Sequence, residues 1–326
     1  MKILVIDVAA DRGGALSILK GFVEKFKSDK ENEYTVVVGT PELSGSDNVR
    51  IVRLPWVKSS RPRRLYFDTF LIKRLIKKYS PDRVFSLQNK GFNTRGVPED
   101  VYFHNALFIC EKRFKFSESR KLWLYQHPIA KMTRKTLRRA DRIFVQAEWI
   151  KRALSEKWDI EKERIFVERP EVCPVFLTEG VPSEEPLSLF YPAAFSSYKN
   201  HKTLIDALVL LSKKGAKLPS LLLTGDEDKF PVSLMEKVRA HQLPVSFLGR
   251  LTPEEMKAVY SRSVLVFPSY LETVGLPLLE AKALSRPIIA ADLEYARESV
   301  GDYDEVRRFS ALDPEALAVA IEEVLG

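Results

Sequence analysis

Short apolar runs alternate along the chain with longer segments whose apolar positions recur at helical spacing. This alternation predicts parallel strands buried on both faces, with helices covering the sheet. In the first half KILVIDV (2–8), YTVVVG (34–39), VRIVRLP (49–55), RVFSL (83–87), DVYFH (100–104), DRIFVQ (141–146) and RIFVE (164–168) read as strands. Helices are predicted from Ala15 to about Lys27, from Leu65 to Tyr79 and from about Ala147, and the basic stretch leading to Arg139 has no assigned element. Prolines and glutamates crowd 170–186, which suits neither a helix nor a central strand. The alternation then restarts with strands at 187–193, 220–225, 245–249, 264–269 and 287–291. The helices here are Thr203–Leu211, Val232–Ala240, Glu254–Tyr260, Leu276–Leu284 and Pro314–Leu325. The predicted fold class is α/β, with two Rossmann-like doubly wound domains, 1–170 and 187–326, joined by a linker at 171–186 and facing each other across a cleft.

Composition agrees with a soluble globular class: 326 residues, 45% hydrophobic and 29% charged. No window approaches the roughly 18 consecutive apolar residues of a membrane span, and MKILVIDV reads as a buried strand without signal-peptide layout. A cytoplasmic protein, peripheral at the inner face of the cell membrane, is therefore expected. Cys110 and Cys173 are too few for a disulfide framework and lack zinc-site spacing, so both are expected to be reduced and structural. The formal charge of +8 is unevenly spread: residues 51–150 carry 23 Lys or Arg against 8 Asp or Glu, whereas 171–326 carry 16 against 23. The basic half points to a polyanion or an anionic membrane surface, with solvated helix faces as the bland alternative.

In open α/β sheets ligands bind at the carboxyl ends of strands, so the residues just after each strand are the candidates for chemistry. After the first strand, Arg12, Gly13 and Gly14 form a turn that lets a ligand approach the backbone, but not the G-x-G-x-x-G of a dinucleotide site. His104 and Asn105 end another strand, with the imidazole able to donate or accept near neutral pH. His127, His201 and His241 have weaker claims. In the second domain Lys199 and Asn200 open a helix, where a point charge and exposed backbone N–H groups suit a diphosphate. The run Ser269 to Glu280 carries most weight. Gly275 and Pro277 suit a tight loop entering a helix start, while Glu272 and Glu280 supply two carboxylates able to grip hydroxyl groups. An anion site between two hydroxyl acceptors describes a nucleotide sugar as ligand.

Glu272, seven residues, Glu280, with Gly275 and Pro277 between them, resembles the E-x7-E motif of family 4 glycosyltransferases of GT-B fold. KNHKTLIDAL, LLLTG, the stretch from VSFLGRLTPEE to RPIIAAD, and RADRIFVQAEWIKRAL are similar to further stretches of that family. The resemblance implies a retaining, metal-independent transferase moving a sugar from a nucleotide-sugar donor to a saccharide or lipid-linked acceptor in surface-polysaccharide synthesis, with no cofactor. Lys199 would hold the donor diphosphate, together with Asn200. Glu272 and the Thr273, Val274, Gly275 and Leu276 backbone would bind the sugar and phosphate, and Glu280 the ribose. Gly13 and Gly14 would border the acceptor, and His104 would contact the transferred sugar. Glu272, His104 and Lys199 are thus the expected catalytic residues, with Arg12 and Asn105 beside the acceptor. One departure stands out: Ala194 occupies the place of the family's arginine, which leaves Arg250, Arg262 or Arg12 to compensate.

The acidic triplets Asp226-Glu227-Asp228 and Asp302-Tyr303-Asp304 imitate a metal-binding D-x-D but are read as solvent loops. The basic, aromatic-interleaved residues 51–139 are assigned to an anionic membrane surface rather than to nucleic acid. Two alternatives are retained: a non-catalytic GT-B-fold partner protein binding polyanion or membrane, and a sugar-nucleotide epimerase.

Overall fold

The computed structural model describes residues 1–11, 13–94, 96–178 and 188–325. The chain divides into two compact units, Met1–Arg169 and Pro170–Gly326. The first is built on seven strands: β1 (Lys2–Asp7), β2 (Glu33–Val38), β3 (Val49–Arg53), β4 (Arg83–Ser86), β5 (Glu99–Phe103), β6 (Arg142–Val145) and β7 (Ile165–Val167). All are parallel, in the spatial order β3-β2-β1-β4-β5-β6-β7. Both faces of β1 are buried, which is why it reads as an unbroken apolar run. Leu4 and Ile6 pack with Phe67, Ile72, Leu75 and Ile76 of the helical segment 61–79. Val5, one residue out of step, packs on the other face with Leu19, Val23 and Phe26 of the helix Gly13–Ser28.

The second unit repeats the plan with β8 (Ser188–Tyr191), β9 (Leu221–Leu223), β10 (Val245–Phe247), β11 (Ser263–Phe267), β12 (Ile288–Ala291) and β13 (Val306–Phe309). These are also parallel, in the order β10-β9-β8-β11-β12-β13. Each sheet therefore reverses its winding once, between β1 and β4 and between β8 and β11. Loops leaving two such neighbouring strands diverge and open a crevice at their carboxyl ends.

Several elements differ from the sequence expectation. The helix expected at Leu65 starts at Arg61, where the Ser60 hydroxyl accepts the Arg63 amide. The basic stretch before Arg139 is helical from Arg120 to Leu137, and Pro128 is accommodated in a π-turn at Tyr125–Ile129. The helix Glu294–Val300 and strand β13 were not anticipated; β13 is an edge strand with Arg307 and Arg308 exposed, so it shows no apolar run. The expected linker also needs correction. Residues 170–178 belong to the second unit, because Phe176 is buried against Tyr260 and Lys257 donates to the Thr178 carbonyl at 3.0 Å. The rest of it, 179–186, lies outside the described residues. Cys110 is half-buried and hydrogen-bonded to Gln126, but Cys173 is exposed, so only the first is structural.

Candidate functional site

At the reversal of the second sheet, the loops after β8 and β11 are zipped together. The Tyr270 amide donates to the Tyr198 carbonyl at 3.0 Å, and the Tyr191 hydroxyl donates to the Lys199 carbonyl at 2.6 Å. This brings Lys199 Nζ to 2.5 Å from Glu272 Oε1, with side chains only 20% and 16% exposed. Ser269 donates to the same carboxylate oxygen at 2.6 Å, and its own carbonyl accepts from Tyr295 at 2.5 Å. The cation, the carboxylate and a hydroxyl thus form one preorganised cluster, although 73 positions separate Lys199 from Glu272.

Asn200 is engaged within the protein through its side chain. Its backbone is left-handed at φ 60°, and the side chain is buried, donating to the Pro268 and Ala311 carbonyls at 3.0 and 2.6 Å and accepting from Thr203 at 2.9 Å. With its amide occupied in this way, it fixes the Lys199 loop. Gly275 (φ +78°) leads into the helix Leu276–Ala283, with Pro277 in its first turn. The Val274 side chain is core and its carbonyl accepts from Ser299 at 2.5 Å. Thr273 is half-buried and Leu276 exposed. Glu280, on the same helix, accepts the buried Tyr260 hydroxyl at 2.8 Å; burial pushes its carboxyl up, and this hydrogen bond opposes the shift.

Neither Arg250 nor Arg262 stands in the place of the missing arginine. Arg250 is exposed beyond the edge strand β10, beside Asp226, and among the described residues no hydrogen bond or ion pair joins it to Lys199 or Glu272. Arg262 is exposed at the amino end of β11, the opposite edge of the sheet. Arg12 lies outside the described residues. Asp226 pairs with Lys229 on an exposed turn, and Asp302 and Asp304 are exposed as well.

In the first unit, His104 follows β5 directly. Its amide donates to Asn89 Oδ1 at 2.6 Å, and Nε2 lies 3.1 Å from both Asn89 Nδ2 and the Leu87 carbonyl. Burial depresses its pKa, so the imidazole is neutral near pH 7. Asn105 caps the next turn, its Oδ1 accepting the Leu107 amide at 3.0 Å. His127 is exposed and stacked on Trp123, and His201 is buried among aromatic rings, where burial drives its pKa down to about 3. Gly13 has φ +60°, and a Cβ on it or on Gly14 would meet nothing within 4 Å, which leaves room above the turn.

Sequence reasoning passed over Asp7, the last residue of β1. Its Oδ1 accepts the Ala10 and Ala9 amides at 3.1 and 3.3 Å, and burial raises its pKa to about 7 despite those bonds and the charges of Arg64 and Lys58. The only signal was a carboxylate closing an otherwise apolar strand. Because the folded form holds this proton to a higher pH than the unfolded chain does, the associated stability is present below about pH 4 and is lost as pH rises through 7. Asp7→Asn is expected to flatten this decline, by at most about 4 kcal/mol between pH 4 and 8. Urea unfolding across that range measures it, and a profile identical to wild type would show that Asp7 is not the titrating group.

Residues 178–326 match the family model described as glycosyl transferases group 1, and residues 21–168 match Glycosyltransferase Family 4. The serotype-specific mannosyltransferase WbdA of Escherichia coli is 33% identical over 132 residues, 39% of this chain and 16% of that protein. The chain therefore spans only a small part of this curated relative. The crystal structure of WaaG, a glycosyltransferase involved in lipopolysaccharide biosynthesis, superposes with a TM-score of 0.72 at 16% identity, covering 100% of this chain and 90% of that one. Anabaena HepE in complex with UDP gives 0.69 at 16% identity, covering 99% and 89%.

Proposed function

We propose, for a chain that belongs to the family 4 glycosyltransferases of GT-B fold, that it transfers a hexosyl or deoxyhexosyl group from a nucleotide-sugar donor to a saccharide or lipid-linked acceptor. The transfer retains anomeric configuration, needs no metal ion, and serves cell-surface polysaccharide assembly at the inner face of the cell membrane. The observation that carries this reading is the Lys199–Glu272 pair, held by Ser269 at the reversal of the second sheet. A diphosphate entering there meets the Lys199 ammonium and the peptide groups of the Gly275 turn, both suited to charge developing on a leaving phosphate. Glu272 receives hydroxyl groups of the sugar, Glu280 those of the ribose, and neutral His104 exchanges a hydrogen bond with the transferred sugar. The anomeric carbon gives up its bond to the diphosphate as it gains one to the acceptor oxygen on the same face, and the acceptor's proton passes to the departing phosphate. HepE's complex with UDP and WbdA's naming as a mannosyltransferase support a nucleotide-sugar donor and a hexose.

A second reading is a non-catalytic protein of the same fold. It is favoured by Ala194 together with the distant placement of Arg250 and Arg262. A thermal-shift series with UDP, GDP, dTDP and ADP in EDTA separates the two. At a hundred times its Kd, a ligand specific for the folded state adds about 2.7 kcal/mol. One nucleotide is expected to stabilise the wild type and to lose most of that effect on Glu280→Gln, which still offers Tyr260 an acceptor. If none of the four raises Tm at millimolar concentration, the transferase reading fails.

A further inference from the structure

Tyr260 closes the helix Pro253–Tyr260 and is fully buried, so it would count as ordinary core but for its hydroxyl, which needs a partner there. Two rings hold it edge-on from different parts of the second unit: Phe190 of β8 at 5.0 Å, and Phe176, from the turn Pro174–Leu177, at 5.9 Å. Both rings are buried themselves, and close packing leaves the phenol no room to swing. The end of the helix is fastened as well, because the Ser263 hydroxyl, at the start of β11, donates to the Val259 carbonyl at 2.8 Å.

Among the described residues the hydroxyl has one partner, Oε2 of Glu280, 2.8 Å away. Burial, and after it the Glu280 carboxylate, push the phenol pKa far above its ordinary value, so toward an ionised Glu280 the hydroxyl only donates. Glu280 itself is half-buried on the helix Leu276–Ala283. Burial raises its pKa, and the Tyr260 hydrogen bond is the one other influence on it, pulling it down. Lys257, Lys282, Glu294, Arg297 and Glu298, the charged side chains of the neighbouring helices and of its own, leave it unshifted. Lys282 donates to the Val300 carbonyl, Lys257 to that of Thr178, Arg297 pairs with Asp292, and the remaining phenol, Tyr295, donates to the Ser269 carbonyl. The carboxylate is thus held by a phenol where a cation would be the common choice.

We propose that Tyr260 is a positioning residue for donor binding: by occupying Oε2 it fixes the orientation of the Glu280 carboxylate and leaves Oε1 to receive the hydroxyl groups of a ribose. Tyr260 touches no ligand and acts only through Glu280. The proposal rests on the reading of Glu280 as the ribose ligand, and it narrows the donor to a sugar carried on a ribonucleotide. An acceptor held in place for a hydroxyl rejects an analogue that lacks one, because the carboxylate is then left without its donor.

The test is calorimetric titration of the full chain with UDP, GDP and ADP, and with the 2′,3′-dideoxy form of each, at pH 6 and pH 8.5. Wild type is expected to bind one ribonucleotide about tenfold more tightly than its dideoxy form, the worth of a hydrogen bond to a charged group. Tyr260→Phe removes one oxygen and keeps the ring, so the packing against Phe190 and Phe176 survives. At pH 6 it should weaken the ribonucleotide about tenfold and the dideoxy form less than about twofold. Without the hydroxyl the Glu280 carboxyl holds its proton to a higher pH, so the loss should shrink to about threefold at pH 8.5. On a Glu280→Gln background Tyr260→Phe should change neither affinity. Equal losses for both forms at both pH values would mark a general loosening of the core and overturn the proposal. A Tyr260→Phe protein with wild-type affinities would overturn it alone, whereas wild type that binds none of the three ribonucleotides would overturn the donor reading with it.

Discussion

Replacement of Lys199 by methionine is expected to lower kcat/KM by about 10²- to 10³-fold, the usual cost of removing one preorganised charge stabiliser. Methionine keeps the length and apolar stem of the side chain, so the loss is electrostatic. The effect has two sources. On the proposed reading a leaving diphosphate loses the ammonium assigned to it, and Glu272, 16% exposed and 2.5 Å from Nζ, loses its cation in a setting where water compensates poorly. The two residues therefore act as a unit. Adding Glu272→Gln to Lys199→Met should cost far less than the product of the single effects, a non-additivity that a double-mutant cycle reads directly. A Lys199→Met enzyme within tenfold of wild type would remove the lysine from the chemistry.

The second large effect is expected at Gly275, through structure rather than charge. A side chain at φ +78° costs about 1–2 kcal/mol. A Cβ there would also lie 3.1–3.2 Å from Leu278, Phe267 and Tyr295, all of them buried with little freedom to retreat. Together these predict that Gly275→Ala destabilises by about 2–4 kcal/mol and abolishes the nucleotide-induced shift. The matched control is Gly14→Ala, where a Cβ meets no neighbour within 4 Å and stability should be unchanged. A Gly275→Ala protein with wild-type Tm and nucleotide response would show that the turn tolerates another conformation.

Strand positions were legible wherever burial on both faces forces an apolar run, as in β1 or β11. They were illegible at β13, where an edge position leaves two arginines in the strand. The proximity of Lys199 and Glu272 follows from the winding of the sheet, because each lies in a loop beside the reversal; the alternation alone left the strand order open. What could not be anticipated is which side chains spend their polar atoms on the protein itself. Asn200 bonds carbonyls 68 and 111 positions away, and Asn105 caps its own turn, neither of which shows in one dimension. Arg262 shows the converse limit: adjacency to a promising strand is useless at its amino end. Asp7 went unnoticed because its chemistry depends on burial, and burial is a property of the assembled sheet.

The Asn200 strut ties together loops leaving β8, β11 and β13, along with the first turn of the helix His201–Lys213. The Lys199 loop therefore has no private opening equilibrium; freeing it means breaking three attachments at once. Its amides should exchange with solvent together with the second sheet, as part of one cooperative unit rather than as a surface loop. Such a lysine meets its ligand already in place, and little ordering entropy is left to be lost on binding.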